Sequence, residues 1–89
     1  MRAVITVIGQ DRKGIIAGVS ATLAQAGINI LDISQTTLQE YFAMIMLVDM
    51  SESNVGFHQI KKQLDARGEE LNMQINIQRE DIFNAMHEV

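Results

Sequence analysis

The sequence predicts an α+β fold in which two helices pack on one face of a four-stranded antiparallel sheet. Three observations lead to this prediction: β-branched apolar runs, two segments with apolar residues at helical spacing, and one segment of strict alternation. In chain order these segments form a strand, a helix, two strands, a helix and a strand. This order is the split βαβ arrangement, and we expect the first and third strands to lie at the centre of the sheet.

The first half of this pattern is a strand, a loop and a helix. Residues 3–8 (AVITVI) are apolar and mostly β-branched, which favours a strand. Residues 9–14 contain two glycines and four polar residues, and they predict a loop. Apolar residues then recur at helical spacing from Ile15 to Ala26, and Gly27 can adopt the left-handed conformation that ends a helix.

The second and third strands are predicted over residues 28–38 and 41–50, joined by a hairpin near Gln39 and Glu40. Those two residues lack the usual signal of a two-residue turn, so they leave the register open. Two sets of apolar residues alternate along the third strand, Phe42, Met44, Met46, Val48 and Met50 on one face and Ala43, Ile45 and Leu47 on the other. Because two helices shield only one face of a sheet, something else must cover the second face.

A second helix and a fourth strand complete the sheet. Residues 51–54 contain N-cap candidates for the helix, which we expect to end at Gly68, and Glu69-Glu70 is interpreted as a charged turn. The residues of the fourth strand that face the core are Leu71, Met73, Ile75 and Ile77, which alternate with polar residues. The pattern therefore predicts an edge strand with one polar face.

The last ten residues predict a short C-terminal helix. Ile82, Phe83, Met86 and Val89 fall on one helical face, and Glu80 and Asp81 suit the first turn. We expect this helix and a second subunit to shield the free face of the sheet, although a frayed terminus on a monomer is the simpler alternative. The prediction is a ferredoxin-like βαββαβ sandwich over residues 1–79 with a helical extension over residues 80–89.

Composition excludes several function classes. The 89 residues contain no cysteine, which excludes disulfides and thiolate chemistry. The net charge of −4 argues against nucleic acid or anionic lipid as the main partner. No apolar run approaches the ~20 residues of a membrane span, so we expect a cytoplasmic protein. His58 and His87 lack a second ligand at metal-binding spacing, and the carboxylates are scattered, so we expect no metal, no cofactor and no catalysis.

The loop between the first strand and the first helix is the best candidate site. A helix N-terminus favours anions, Arg12 can hold a carboxylate, and Gly14 lets a ligand approach the backbone. Asp11 can accept hydrogen bonds from a ligand ammonium or, as the structural alternative, cap the helix. We expect Asn29, where the second strand begins, to lie opposite this loop, so that together these groups fit a free amino acid.

At this loop the chain resembles a known family. Residues 11–16 (DRKGII) followed by residues 23–30 (LAQAGINI) resemble the signature of the ACT domain, an Asp-x-x-Gly motif, an amphipathic helix, a turn and Asn-Ile. Residues 29–35 (NILDISQ) are similar to small single-ACT proteins and to the ACT modules of the glycine cleavage system repressor and formyltetrahydrofolate deformylase. The resemblance covers residues 1 to about 79.

The resemblance implies regulatory binding of a small molecule, commonly an amino acid, at an interface between two ACT units. Family ligand contacts map onto six positions: Asp11, Arg12, Gly14, Ile15, Asn29 and Ile30. Because no enzyme or DNA-binding domain accompanies this module, we expect a homodimer that regulates a partner in trans. Two alternatives stay open: a dimerisation module without a ligand, and an enzyme resembling acylphosphatase in which Arg12 and Asn29 orient phosphate and water.

Overall fold

The computed structural model describes the backbone of residues 1–87 and the side chains of residues 1–84. It contains four strands and three helices: β1 (Arg2–Gln10), α1 (Ile15–Gln25), β2 (Asn29–Leu38), β3 (Tyr41–Asp49), α2 (Phe57–Leu71), β4 (Met73–Arg79) and α3 (Glu80–His87). The predicted βαββαβ order and the C-terminal helix are confirmed. Met86 and Val89, which we placed on one face of that helix, lie outside the described side chains.

The sheet is antiparallel with the strand order β2-β3-β1-β4, so β1 and β3 are central as predicted. Arg2 of β1 pairs with Asp49 of β3, which in turn pairs with Asn29 of β2; we call this the Arg2 end of the sheet. At the opposite end, which we call the Gln10 end, Tyr41 pairs with both Gln10 and Leu38. This register fixes which loops share an end of the molecule.

One face of the sheet packs against α1 and α2. The alternation predicted for the third strand is confirmed, because all five residues of its first set are buried: Phe42, Met44, Met46, Val48 and Met50. They meet Val19 and Leu23 of α1 and Ile60 and Leu64 of α2 in one continuous core. Burial of each such side chain contributes about 1.5–3 kcal/mol, so this face is the main source of stability.

The opposite face, which we call the open face, is only partly covered. Ile45 of β3 is 50% exposed and Ile8 of β1 is 53% exposed. Val4 also points to this face because it alternates with buried Ala3 and Ile5, yet it is only 7% exposed. The helix α3 contacts both β1 and β4. Within the described residues, no helix is long and apolar enough to cross a bilayer.

Gly27 ends α1 as predicted, with a φ of 72°. The predicted start of α2 is wrong, because its N-cap is Gly56 and residues 51–54 form a turn before it. In that turn the Asn54 side-chain amide donates to the Gln25 carbonyl oxygen at 3.1 Å, which ties the turn to the end of α1. The Asn54 side chain therefore caps the preceding helix α1 and not α2, which follows it.

The predicted end of α2 at Gly68 is also wrong. The helix continues to Leu71, and Asn72 adopts the left-handed conformation with a φ of 56°. Gly68 is buried, and a Cβ placed there would lie 2.7 Å from the Met73 carbonyl oxygen. The glycine therefore permits the close approach of α2 to β4. Consequently Glu69-Glu70 belongs to the last turn of α2, and Leu71 ends the helix instead of starting β4.

Two adjacent residues of β3 test the contrast between the faces. We expect Met46→Asp to lower the free energy of unfolding by about 4 kcal/mol or more, because it places a charge in a fully buried position. Ile45→Asp should cost about 1 kcal/mol, since its side chain is half exposed. Urea unfolding followed by circular dichroism measures both, and equal losses would contradict the assignment of the two faces.

Candidate functional site

The loop between β1 and α1 lies at the Gln10 end and is held by the backbone. The Asp11 N–H donates to the Glu40 carbonyl oxygen at 2.7 Å, so the loop is attached to the turn between β2 and β3. Gly14 has a φ of 87°, a conformation that favours glycine, and it forms the N-cap of α1. The loop is therefore positioned by main-chain geometry, which leaves its side chains available to solvent.

The N-terminus of α1 has no side-chain cap. Gly14 contributes no side chain, the first turn contains no acidic residue, and no capping hydrogen bond is present. The structural alternative for Asp11, that it caps this helix, is therefore wrong. The partial positive charge of the helix end is exposed in a hollow of about 190 Å³, which is lined by Asp11, Arg12, Gly14, Ile15, Ile16, Ala17 and Phe42. Such a hollow suits one small anionic or zwitterionic group.

Arg12 lies in this hollow but is engaged by another helix. Its Nη1 donates to the Leu71 carbonyl oxygen at 3.0 Å, at the C-terminus of α2. The guanidinium thus satisfies a carbonyl at the negative end of the helix dipole. The sequence suggested only a carboxylate of a ligand as the partner of Arg12, so this anchoring contact was missed. A guanidinium has five N–H donors, and this contact leaves others available.

Asn29 and Ile30 lie at the Arg2 end, where they pair with Asp49 and Val48. The 11 residues of α1 span about 16 Å between the two ends. The expectation that Asn29 lies opposite the loop of its own chain is therefore wrong. The hollow beside Asn29 has a volume of about 390 Å³, and its lining contains no residue of the Asp11 loop.

Asp49 is a charged group of this second hollow, together with Glu52. The Ser51 hydroxyl donates to Asp49 Oδ1, and the Ser51 N–H donates to the same oxygen at 2.9 Å. These two hydrogen bonds lower the pKa of Asp49 below its ordinary value of 3.8, with smaller contributions from the N-terminal ammonium and Arg2. Asp49 is therefore ionised at neutral pH. The sequence signal that could have indicated these hydrogen bonds is the Asp-x-Ser spacing, in which Ser51 follows Asp49 by two residues.

A third hollow, of about 800 Å³, follows the edge of β4 beside α2. It contains Asp65 and Glu69, which lie one helical turn apart. This pair is an exception to the prediction that the carboxylates are scattered over separate elements. No group of three potential metal ligands occurs among the described residues. His58 is exposed on α2, and the side chain of His87 lies outside the described residues.

Comparison with known proteins identifies the family. The sequence model of the ACT domain family matches residues 2–78 of this chain. The chain belongs to the ACT domain family. A UPF0237 protein of Clostridium acetobutylicum is 60% identical over 89 residues, which is 100% of each chain. An ACT domain protein from Streptococcus pneumoniae superposes with a TM-score of 0.80 and 45% identity, over 100% of this chain and 96% of that one.

The resemblance to the glycine cleavage system repressor is also confirmed. A protein named as a candidate transcriptional repressor of that system superposes with a TM-score of 0.76 and 30% identity. The match covers 86% of this chain and 44% of that longer chain. ACT domains generally bind amino acids or other small ligands for regulation, and they often form dimers. As a family, ACT domains are regulatory rather than catalytic.

The contact of Arg12 with α2 predicts a measurable stability effect. Arg12→Ala should lower the free energy of unfolding by about 0.5–1 kcal/mol, because the Leu71 carbonyl loses an exposed, charge-assisted hydrogen bond. Lys13→Ala removes the same charge from the same loop and serves as the control. Urea unfolding midpoints compare the two variants. An equal effect of both would show that net charge, and not the contact with Leu71, is responsible.

Proposed function

We propose that this ACT domain is a regulatory module that binds an amino acid as a homodimer and regulates a partner protein in trans. The observation that carries the proposal is the uncapped N-terminus of α1, which opens into the hollow formed by Asp11, Arg12 and Gly14. In this proposal residues 1–79 form the ACT domain, residues 80–89 are an extension, and the protein acts in the cytoplasm without a metal, a cofactor or direct contact with nucleic acid.

The charges of the loop suit a zwitterion. A ligand carboxylate would accept hydrogen bonds from the first-turn N–H groups of Ile15 and its neighbours and from the free donors of Arg12. The Asp11 carboxylate makes no hydrogen bond or ion pair with another described residue, so it can receive a ligand ammonium. Apart from the atoms of Gly14 and of its own chain neighbours, no heavy atom lies within 4 Å of the position of a Cβ on Gly14, which leaves space for the ligand at the backbone.

A second copy would complete the site. Asn29 and Ile30 lie about 16 Å from this loop along α1, so one small ligand cannot reach both groups within one chain. The edge strand β2 offers the connection, since most of its residues are exposed, including Leu31 and Ile33. Antiparallel pairing of β2 with β2 of a second copy would bring the Arg2 end of one chain beside the Gln10 end of the other. Asn29 of each copy would then lie at the same end as Asp11 of its partner.

The alternative without a ligand has one observation in its favour. Arg12 already has a protein partner in Leu71, so its presence does not require a ligand. In that case the β2 edge would serve dimerisation alone. The same contact argues against an acylphosphatase-like enzyme, which would need this guanidinium for phosphate. Ligand binding therefore separates the two remaining functions.

The first test is thermal unfolding of the full chain in the presence of each of the twenty amino acids at millimolar concentration. An open loop site should bind with micromolar to millimolar affinity, about −8 to −4 kcal/mol. A ligand present at 100 times its Kd should stabilise the fold by about 2.7 kcal/mol, which gives a clear rise in Tm. If no amino acid raises the Tm, the dimerisation module is the better description.

The shared site makes a sharper prediction through mixing of two variants. Asp11→Ala and Asn29→Ala should each abolish the response to the ligand, because each removes one half of every site. An equal mixture that has exchanged subunits should recover about a quarter of the wild-type binding capacity, since half of the dimers are mixed and each contains one intact site. Isothermal titration measures the capacity.

Unfolding curves of the two separate variants provide the control for stability. No recovery on mixing, with both variants folded and dimeric, would show that the two residues do not serve one shared site.

A further inference from the structure

The strand β4 forms the second edge of the sheet, and its outer side is unpaired. It pairs with β1 alone, at the end of the strand order. Among the described residues, none of the backbone hydrogen bonds outside the helices and the sheet involves residues 73–79. In the dimer proposed above β2 lies at the centre of the joined sheet, so β4 stays at its margin. Such an edge presents N–H and C=O groups with which another strand can pair.

This edge lacks the features that usually prevent such pairing. The strand β4 contains no proline and no lysine, and its register with β1 has no bulge. Gln74 and Asn76, which are exposed, are neutral amides. The charged residue of the strand, Arg79, lies at the Arg2 end and forms an ion pair with Asp81 at 3.4 Å. Since natural edges are commonly blocked by lysine, proline or a bulge, residues 73–77 are open to a further strand.

The hollow of about 800 Å³ borders this edge, and we call it the β4 groove. Residues 72–76, five in succession, line one side of it. Because successive residues of a strand point to opposite faces, a hollow that touches all of them follows the edge of the strand. Asp65, Gly68 and Glu69 line the other side and share one face of α2. The groove therefore lies between an unpaired strand and a helix.

The β4 groove is negatively charged. Asp65 and Glu69 are the charged residues that line it, and both are exposed. Neither carboxylate makes a hydrogen bond or an ion pair with another described residue. Lys61 and Lys62 precede them on α2 but do not line the groove. Both carboxylates are therefore available to a cation that enters the groove.

The position of Glu69 is unfavourable in the isolated chain. It lies in the last turn of α2, where the negative end of the helix dipole disfavours a carboxylate and where no basic residue is present. The nearby cations have other partners, because Arg67 pairs with Glu70 at 3.2 Å and Arg12 donates to the Leu71 carbonyl oxygen. A cation supplied by a binding partner would offset this repulsion.

We propose that the β4 groove binds an extended, basic segment of a partner protein, which adds to β4 as a fifth strand. Asp65 and Glu69 lie about 6 Å apart along α2, and alternate residues of a strand lie about 6.7 Å apart. Lysine or arginine at two alternate positions of the segment can therefore reach both carboxylates. The other alternate side chains would lie beside Gln74 and Asn76 on the open face.

The charges of the groove select a partner of opposite sign over a second copy of this chain. Pairing of two β4 edges would bring four like carboxylates together in a chain with a net charge of −4. The lining of the groove shares no residue with the hollow of the Asp11 loop. The inference names the chemistry of the partner regulated in trans, and it rests on the proposed function for that role alone.

The test is a titration of the full chain with a synthetic peptide, followed by ¹⁵N NMR without any amino acid present. The peptide has 7 residues, the length of β4, and lysine alternates in it with threonine or valine. We expect saturable shifts at residues 65–69 and 73–77 with up to about 1 mM peptide. A peptide methylated on alternate backbone nitrogens keeps the charge but loses strand hydrogen bonds, and it should bind about tenfold more weakly.

Matched variants of α2 test the contribution of the two carboxylates. Asp65→Asn and Glu69→Gln should each weaken peptide binding about threefold, and the double variant about tenfold, because each removes one exposed ion pair. Glu70→Gln removes the same charge from the adjacent position, whose carboxylate pairs with Arg67, and should leave the affinity unchanged. Circular dichroism of each variant controls for folding.

Four results would overturn the proposal. They are the absence of saturable shifts, equal binding of the methylated peptide, equal weakening by Glu70→Gln, and shifts confined to the β2 edge. Shifts at residues 73–77 that depend on protein concentration without peptide would assign the edge to a second copy and overturn it as well. Because no amino acid is present in this titration, its failure leaves the ligand response of the Tm assay untouched. Peptide binding without any amino-acid response would contradict the proposed function instead.

Discussion

The candidate site depends on the direction of α1, which runs antiparallel to β1 beside the sheet. A strand that ends at the Gln10 end is followed by a helix of 11 residues, and this helix returns the chain to the Arg2 end. The loop that contains Asp11 and the strand that starts at Asn29 must therefore lie at opposite ends. Two groups of the family signature, Asp11 and Asn29, are thus separated in one folded chain, and the proposed site joins them across two chains.

The loop at the Gln10 end combines a backbone anchored to the turn between β2 and β3 with exposed charged side chains. The bond from Asp11 N–H to Glu40 holds the main chain, and the contact of Arg12 with Leu71 ties the loop to α2. A site held in this way loses little conformational entropy when a ligand binds. The contact with Leu71 also connects the loop to the helix that packs on β4. A ligand that competes for Arg12 would weaken this contact, which gives the site a physical route to the rest of the fold.

The two faces of the sheet differ in burial. The face towards α1 and α2 contains the methionines of β3, and its burial accounts for most of the apolar stabilisation. The open face contains apolar residues that contribute little in an isolated chain, because Ile8 and Ile45 stay half exposed. Contiguous exposed apolar surface of this kind is typical of interaction sites. The period of two along each strand therefore places the core residues on one face and the exposed apolar residues on the other.

The sequence by itself determined the element order, the alternation of β3, the central place of β1 and β3, and the role of Gly27. These features depend on periodicity and on local backbone preferences, which a linear pattern contains. For the site, it determined which loop contains the suitable charges. It did not determine where Asn29 lies relative to that loop, because this depends on the direction of α1 across the sheet.

The tertiary structure decided the features that depend on residues distant in the chain. Gly68 is a residue type that commonly ends a helix, but the close approach of the Met73 carbonyl oxygen makes it a packing position inside α2. Arg12 is a residue type that suits a ligand carboxylate, but the C-terminus of α2 also supplies a carbonyl oxygen to which Arg12 donates a hydrogen bond. Val4 and Ile8 are equivalent in the strand pattern, and only the tertiary structure shows that the first is buried and the second is exposed. Each outcome is set by a neighbour brought there by the fold, and a local pattern contains no information about that neighbour.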